Sequence, residues 1–177
     1  MKKRLIRYLS GRTEMARFDS LMKATFNPPR NWTLLEDLKF YSDELSKKDA
    51  EMLRWCGVEV RNSTKTKQYI ITIPKTYVTD MASVPRGCWA FIAPFDVARA
   101  AIVHDLLYKA IRKYRWTKGA IEEDKTLIKK SKVVADKIFR LAMKDADPKV
   151  SGWKIYSAWK AVDLFGRWSI VPNEKNI

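Results

Sequence analysis

The spacing of apolar residues changes character twice along the chain. Over residues 1–26 it is roughly helical, with Leu5, Ile6 and Leu9 followed by Met15, Phe18, Leu21 and Met22. This predicts one or two short basic helices, ended by Asn27-Pro28-Pro29. From Trp32 to Thr79 the pattern is that of short strands. Leu34–Tyr41 alternates weakly, and Val58–Arg61 and Gln68–Ile73 flank the polar run from Asn62 to Lys67 as a hairpin. The β-branched run at Tyr69–Ile73 stops at Pro74, which belongs at strand ends, and Tyr77-Val78 reads as a last short strand leading to Thr79-Asp80.

Beyond residue 96 helical spacing returns. Between Val97 and Leu107 the only charged or titratable side chains are Arg99, His104 and Asp105, so a helix here is expected to be buried on most sides, with Asp96 as its N-cap. Residues 120–146 read as helix, in two pieces jointed near Lys129–Lys132. Val134, Ile138, Leu141 and Ala142 form its apolar stripe, widened by Ala135, Phe139 and Met143, with Asp136 beside it. Asp147-Pro148 reads as an N-cap and first turn of a last helix that places Trp153, Tyr156, Trp159 and Val162 in the core and closes at Gly166. The expected fold class is α+β, an N-terminal meander of short antiparallel strands followed by about three C-terminal helices. A basic arm over 1–26 precedes one domain over 27–177, β-rich to residue 79 and helical from 80.

The sole histidine draws attention to the stretch Thr79–Tyr108. A buried imidazole and a buried carboxylate must be hydrogen-bonded, paired or metal-bound, because leaving them unsatisfied is costly. His104 and Tyr108 stand one turn apart on one helix face, with Asp105 turned about 100° away. A lone core histidine is more often structural than catalytic. What favours a site is the concentration of Thr79-Asp80, Ser83-Val84-Pro85-Arg86 and His104-Asp105 in one stretch, and a hydrogen bond between His104 and Asp136 of the next helix is expected.

Charge widens the picture. Lys and Arg number 35 against 20 Asp and Glu, a formal +15, which makes nucleic acid, an anionic membrane or an acidic protein surface plausible partners. With Lys2, Lys3, Arg4 and Arg7 the arm suits lipid headgroups, a phosphate backbone or a partner's acidic face, and it equally suits packing on the domain with its lysines in water. Cys56 and Cys88 with one histidine make neither a disulfide framework nor a Cys/His zinc site. The apolar stretch after the basic start breaks after Leu5-Ile6, so no signal peptide is expected, and no run approaches the length of a membrane span.

Four blocks carry a resemblance: Pro74 after a strand, Thr79-Asp80-Met81-Ala82-Ser83-Val84-Pro85, Ala100-Ala101-Ile102-Val103-His104-Asp105-Leu106-Leu107-Tyr108, and Ala135-Asp136-Lys137-Ile138-Phe139-Arg140-Leu141-Ala142-Met143. In that order, Ile73–Met143 resembles a family of uncharacterised tailed-phage and prophage proteins, a domain of unknown function. The resemblance implies a phage origin, with a place in the host cytoplasm or the virion.

A more distant resemblance bears on chemistry. His-Asp-x-x-Tyr on one helix, followed by an aspartate on the next, is similar to the paired active-site helices of the phospholipase A-two superfamily. It implies that His104 is the general base activating water, that Asp136 orients the imidazole and that Tyr108 hydrogen-bonds to Asp136. It also implies that Asp105 holds a calcium ion, with Asp80 standing in where the superfamily uses a Gly-x-Gly turn, since this chain has only Gly87 there. A Ser83–His104–Asp136 triad is a lesser drawing of the same residues, because Ser83 lacks a Gly-x-Ser-x-Gly elbow.

The expected function is therefore a phage-encoded, phospholipase-like ester hydrolase, metal-dependent if calcium binds. Its candidate residues are His104, Asp136 and Tyr108 for catalysis, Asp105 and Asp80 for metal, with Thr79, Ser83 and Arg86 nearby. The alternative is a non-catalytic virion or host-interaction protein whose basic surface binds phage DNA or other virion proteins.

Overall fold

The computed structural model describes residues 16–80, 97–118, 122–174 and 176–177. Four strands, β1 (Ala16–Phe18), β4 (Leu38–Ser42), β5 (Val60–Asn62) and β6 (Tyr69–Ile73), form one antiparallel sheet in the order β1-β4-β6-β5. A second antiparallel sheet runs β2 (Ala24–Asn27), β3 (Asn31–Leu34), β7 (Val78–Thr79). Among the described residues the helices are α1 (Lys47–Trp55), α2 (Ala98–Lys118), α3 (Glu122–Lys144) and α4 (Gly152–Ser169). The expected α+β arrangement, antiparallel strands first and three helices last, is the one observed.

Alternation explains the first sheet. Leu38, Phe40 and Ser42 of β4 are buried while Lys39 and Tyr41 are half-buried, and Ile71 and Ile73 of β6 turn the same way. Phe18 stacks at a tilt on Phe40 with ring centroids 5.1 Å apart, and its N–H donates to Asp145 Oδ2 at 2.8 Å. These contacts and the pairing of β1 with β4 and β2 with β3 overrule the helical spacing, and β1 and β2 stand where a helix was expected. Tertiary pairing of a short segment outweighs its local periodicity. Residues 1–15, with Lys2, Lys3, Arg4 and Arg7, lie outside the described residues.

A helix also stands where only strands were expected. Ser46 caps α1 through a reciprocal capping box, its hydroxyl accepting from the Asp49 N–H at 3.1 Å while Asp49 accepts from the Ser46 N–H at 3.0 Å. Ala50, Met52 and Leu53 bury its inner face, which packs against α3.

Helix α2 is buried over Ala100 to His104 and again at Leu107, Tyr108 and Ile111, as its all-round apolar sequence demands. It packs on α3, and α3 packs on α4. The stripe of α3 is buried as read: Val134, Ala135, Ile138, Phe139, Leu141, Ala142 and Met143. Three details differ from the sequence reading. Helix α3 is continuous through Lys129–Lys132, because Ser131, Lys132 and Val134 are packed between neighbours. Helix α4 begins after Ser151, well beyond Asp147-Pro148, and runs past Gly166 to Ser169. Trp153 and Tyr156 are exposed, since α4 packs through Ile155, Ala158, Val162 and Gly166 and turns its aromatic side outward. Asp96 lies outside the described residues.

Candidate active site

Two helices and a short strand assemble the site. From α2 come His104, Asp105 and Tyr108; from α3 come Lys132 and Asp136; β7 brings Thr79, with Asp80 just beyond it. His104 Nε2 lies 3.1 Å from Asp136 Oδ1, and the Tyr108 hydroxyl donates to the same oxygen at 2.7 Å. The two rings, one turn apart on α2, stand 4.0 Å between centroids, and Phe139 covers the imidazole at 4.7 Å. The pairing of His104 with Asp136 anticipated from the two buried polar positions is therefore present.

Asp136 has a third partner that the sequence reading missed. Lys132 Nζ donates to Asp136 Oδ2 at 2.6 Å and to the backbone carbonyls of Val162 and Asp163 at 3.2 and 2.7 Å. The signal was available as Lys132-x-x-x-Asp136, an opposite-charge pair one turn apart inside an apolar stripe. Burial alone would raise the Asp136 carboxyl. Hydrogen bonds from His104, Lys132 and Tyr108 outweigh burial and hold it below the usual carboxylate range. Burial, then the Asp136 charge it faces, drives the Tyr108 phenol far above its ordinary value, so it remains a donor.

An ionised Asp136 fixes the tautomer. It accepts from Nε2–H, so in the neutral ring Nδ1 carries the lone pair. His104 Nδ1 is buried and has no hydrogen-bond partner among the described residues. The same ring helps to line a cleft of about 540 Å³, walled by Val78, Thr79 and Asp80, by Asp105, Tyr108, Lys109 and Arg112, and by Val162, Phe165 and Gly166 of α4. Asp136 is not on that wall. It sits behind His104 and borders a separate recess of about 110 Å³ with Lys137, Arg140 and Trp159. Of the four residues that the phospholipase resemblance joins in one site, Asp80, His104 and Asp105 line the cleft, and Asp136 stands behind it, held by its three donors.

Asp105 has its own set. Tyr77 Oη donates to its Oδ2 at 3.0 Å and the Thr79 side chain donates as well. Burial nevertheless outweighs these bonds, the nearby Asp80 adds to it, and the Asp105 carboxyl is raised. Tyr77 was not singled out from sequence; its place two residues before Thr79 on the strand side of the site was the only hint.

Calcium takes about six to eight oxygen ligands. Here the described residues supply Asp105, already accepting from two hydroxyls, and the exposed Asp80, and among the described residues no group of three or more His, Cys, Asp or Glu is placed to hold a metal ion. By themselves the described residues supply fewer oxygens than such a shell takes. Ser83 and Arg86 lie outside the described residues, and with them the Ser83–His104–Asp136 drawing.

Residues 57–162 match the model of a family described as protein of unknown function (DUF1353), more than half of the chain, and the chain belongs to that family. The motif blocks from Pro74 to Met143 all fall within the matched span. No curated protein and no solved structure matches the chain significantly. Among the described residues no helix is long and apolar enough to cross a membrane.

Proposed function

For this member of the DUF1353 family we propose a phage-encoded, phospholipase-like ester hydrolase with His104 as its general base. The observation that supports this reading is the half-used imidazole: Nε2 is committed to Asp136, while Nδ1 is buried without a partner among the described residues, on a ring that borders the cleft. A histidine kept only for packing would be expected to satisfy both nitrogens, because an orphan buried acceptor costs stability.

The chemistry follows from that arrangement. A water hydrogen-bonded to Nδ1 gives up its proton as its oxygen attacks the ester carbonyl. The imidazolium that forms is stabilised by the carboxylate behind it, which Lys132 and Tyr108 hold in place. The proton then passes to the departing alcohol oxygen. Calcium at Asp105 and Asp80 is an addition to this proposal, and the chemistry argued from His104 does not draw on it. The protein would act in the host cytoplasm or from the virion, on phospholipid in an anionic membrane.

The test is hydrolysis of phospholipid vesicles and of a soluble ester, with calcium supplied, by the wild type and His104→Gln. General-base catalysis contributes about 10²–10⁴-fold, and the substitution should lower activity by that order with an unchanged circular dichroism spectrum. Activity absent on both substrates, or indifferent to His104, removes the reading.

A second reading is favoured by a different observation, that His104 is only 1% exposed. In it the His104, Asp136, Lys132 and Tyr108 cluster is a structural polar network in a virion or host-interaction protein, and the +15 surface binds phage DNA or another virion protein. His104→Gln would then appear as lost stability with no activity to lose.

A further inference from the structure

We propose that the outward side of α4 is a docking surface for an anionic lipid bilayer. Leu164 and Trp168 stand eleven and fifteen positions after Trp153, which brings all three to one side of a helix. They are 58, 61 and 56% exposed, and Tyr156 and Phe165, also exposed, flank them. The opposite side of the same helix buries Ile155, Ala158, Val162 and Gly166. Helix α4 therefore carries large apolar side chains on both sides and is covered on one, and exposed apolar side chains gathered on one face mark a surface of interaction.

Charge decides the occupant. Lys154, Lys160 and Arg167 share this side: Lys154 Nζ lies 5.8 Å from the Trp153 ring and the Arg167 guanidinium 4.1 Å above Trp168. The one acid of α4, Asp163, is engaged with Lys160 and Lys132. The stripe thus presents indoles, a leucine and the cations Lys154 and Arg167, with Lys160 paired to Asp163 and no unpaired carboxylate. Tryptophan beside lysine and arginine is the composition that headgroup layers favour, because the ring enters the interface while the cation meets lipid phosphate. The net charge of +15 adds a general attraction to anionic lipid. Val162, Phe165, Gly166 and Ser169 of α4 also wall the cleft, so a bilayer on this side would lie beside it. Its use in delivering ester substrate rests on the hydrolase reading; the docking itself does not.

The experiment uses the full chain and ether-linked lipids, which an esterase cannot cleave, as vesicles of phosphatidylcholine alone or with phosphatidylglycerol. Wild-type protein should sediment with the phosphatidylglycerol vesicles and shift its tryptophan emission to the blue. Trp153→Ala/Leu164→Ala/Trp168→Ala should bind at least about tenfold more weakly at unchanged melting temperature, since only exposed side chains are removed. Lys154→Glu/Arg167→Glu should weaken binding and reduce its dependence on salt. Equal binding by the triple variant would assign the affinity to other basic residues and overturn the proposal. So would absent binding by the wild type, or a wild-type dimer in sedimentation velocity that the triple variant breaks, which would give the stripe to a second copy. Binding retained with no ester hydrolysis would count against the hydrolase reading alone.

Discussion

The Tyr108 hydroxyl occupies the space that a side chain at residue 166 would need: a Cβ built on Gly166 would overlap it and stand 3.1 Å from Tyr108 Cζ and 3.2 Å from Lys132 Cε. This glycine lies inside α4, where helix propensity alone would favour alanine by about 1 kcal/mol. Overpacking a tight site costs roughly 1–3 kcal/mol, and the ring cannot yield without breaking its 2.7 Å bond to Asp136. Gly166→Ala should therefore lower the melting temperature by several degrees in calorimetry, against the rise expected at an open helix position. Adding Tyr108→Phe, which removes the clashing oxygen, should make the double variant less destabilised than the sum of the two single changes.

Lys132 and Asp136 form a buried pair whose two halves depend on each other. Removing one partner of such a pair costs about 3–5 kcal/mol, mostly for the charge left behind. Lys132→Met should show a loss of that order in denaturant unfolding, and Lys132→Met/Asp136→Asn should recover part of it. The pH dependence has a defined sign. The folded-state value of Asp136 lies below its ordinary 3.8, so its contribution is present above that value and fades as pH falls through the lowered one. The stability gap between wild type and Asp136→Asn should close in that acid window and stay constant near neutrality. In the hydrolase reading Asp136→Asn should also reduce activity less than His104→Gln, since the base remains and only its tautomer and aim are disturbed.

Much of this site was legible because buried polar residues stand out against apolar sequence. His104 and Asp136 each sit in a run that must be covered, which made their meeting a consequence of packing the two helices. Strand β6 and the stripe of α3 were legible for the same reason, as periodicity with a single meaning. The misses have physical causes. Residues 16–27 are too short for their spacing to decide between helix and strand, and the partners that decide, Phe40 and Trp32, come later in the chain. Helix α1 is announced by its capping box and not by apolar content. Gly166 looked like a helix stop because the steric demand of Tyr108 is visible only in three dimensions. The aromatics of α4 share one period with core residues, and sequence alone does not say which side of the helix the protein covers.

The excess of cations gives the second reading a check of its own. If the +15 surface holds duplex DNA, each neutralised phosphate releases counterions and the logarithm of affinity falls linearly with the logarithm of salt. Fluorescence anisotropy with a labelled duplex should show affinity falling about 10³–10⁵-fold between low and moderate salt if some six to ten phosphates are engaged. Weak, salt-insensitive binding would remove DNA and leave an acidic protein partner in that reading.

Asp105 should be a residue held at a cost to stability. Its folded-state carboxyl is raised by burial, with Asp80 adding to it, so its charged form is disfavoured in the folded protein at neutral pH. A group with a raised folded value stabilises below its ordinary 3.8 and loses that contribution as pH rises through the folded value. Asp105→Asn keeps an acceptor for Tyr77 and Thr79 without the charge. It should raise the melting temperature near pH 7, and the gain should vanish at pH values below the ordinary carboxylate range. The same titration examines the calcium proposal. An ion shared by Asp105 and Asp80 would raise the wild-type melting temperature by mass action and leave Asp105→Asn unmoved. A flat calcium response together with a stabilised variant would make Asp105 the acceptor that fastens Tyr77 and Thr79 to α2, and nothing more. A calcium-dependent rise confined to the wild type would mean that the charge at Asp105 is retained for a cation.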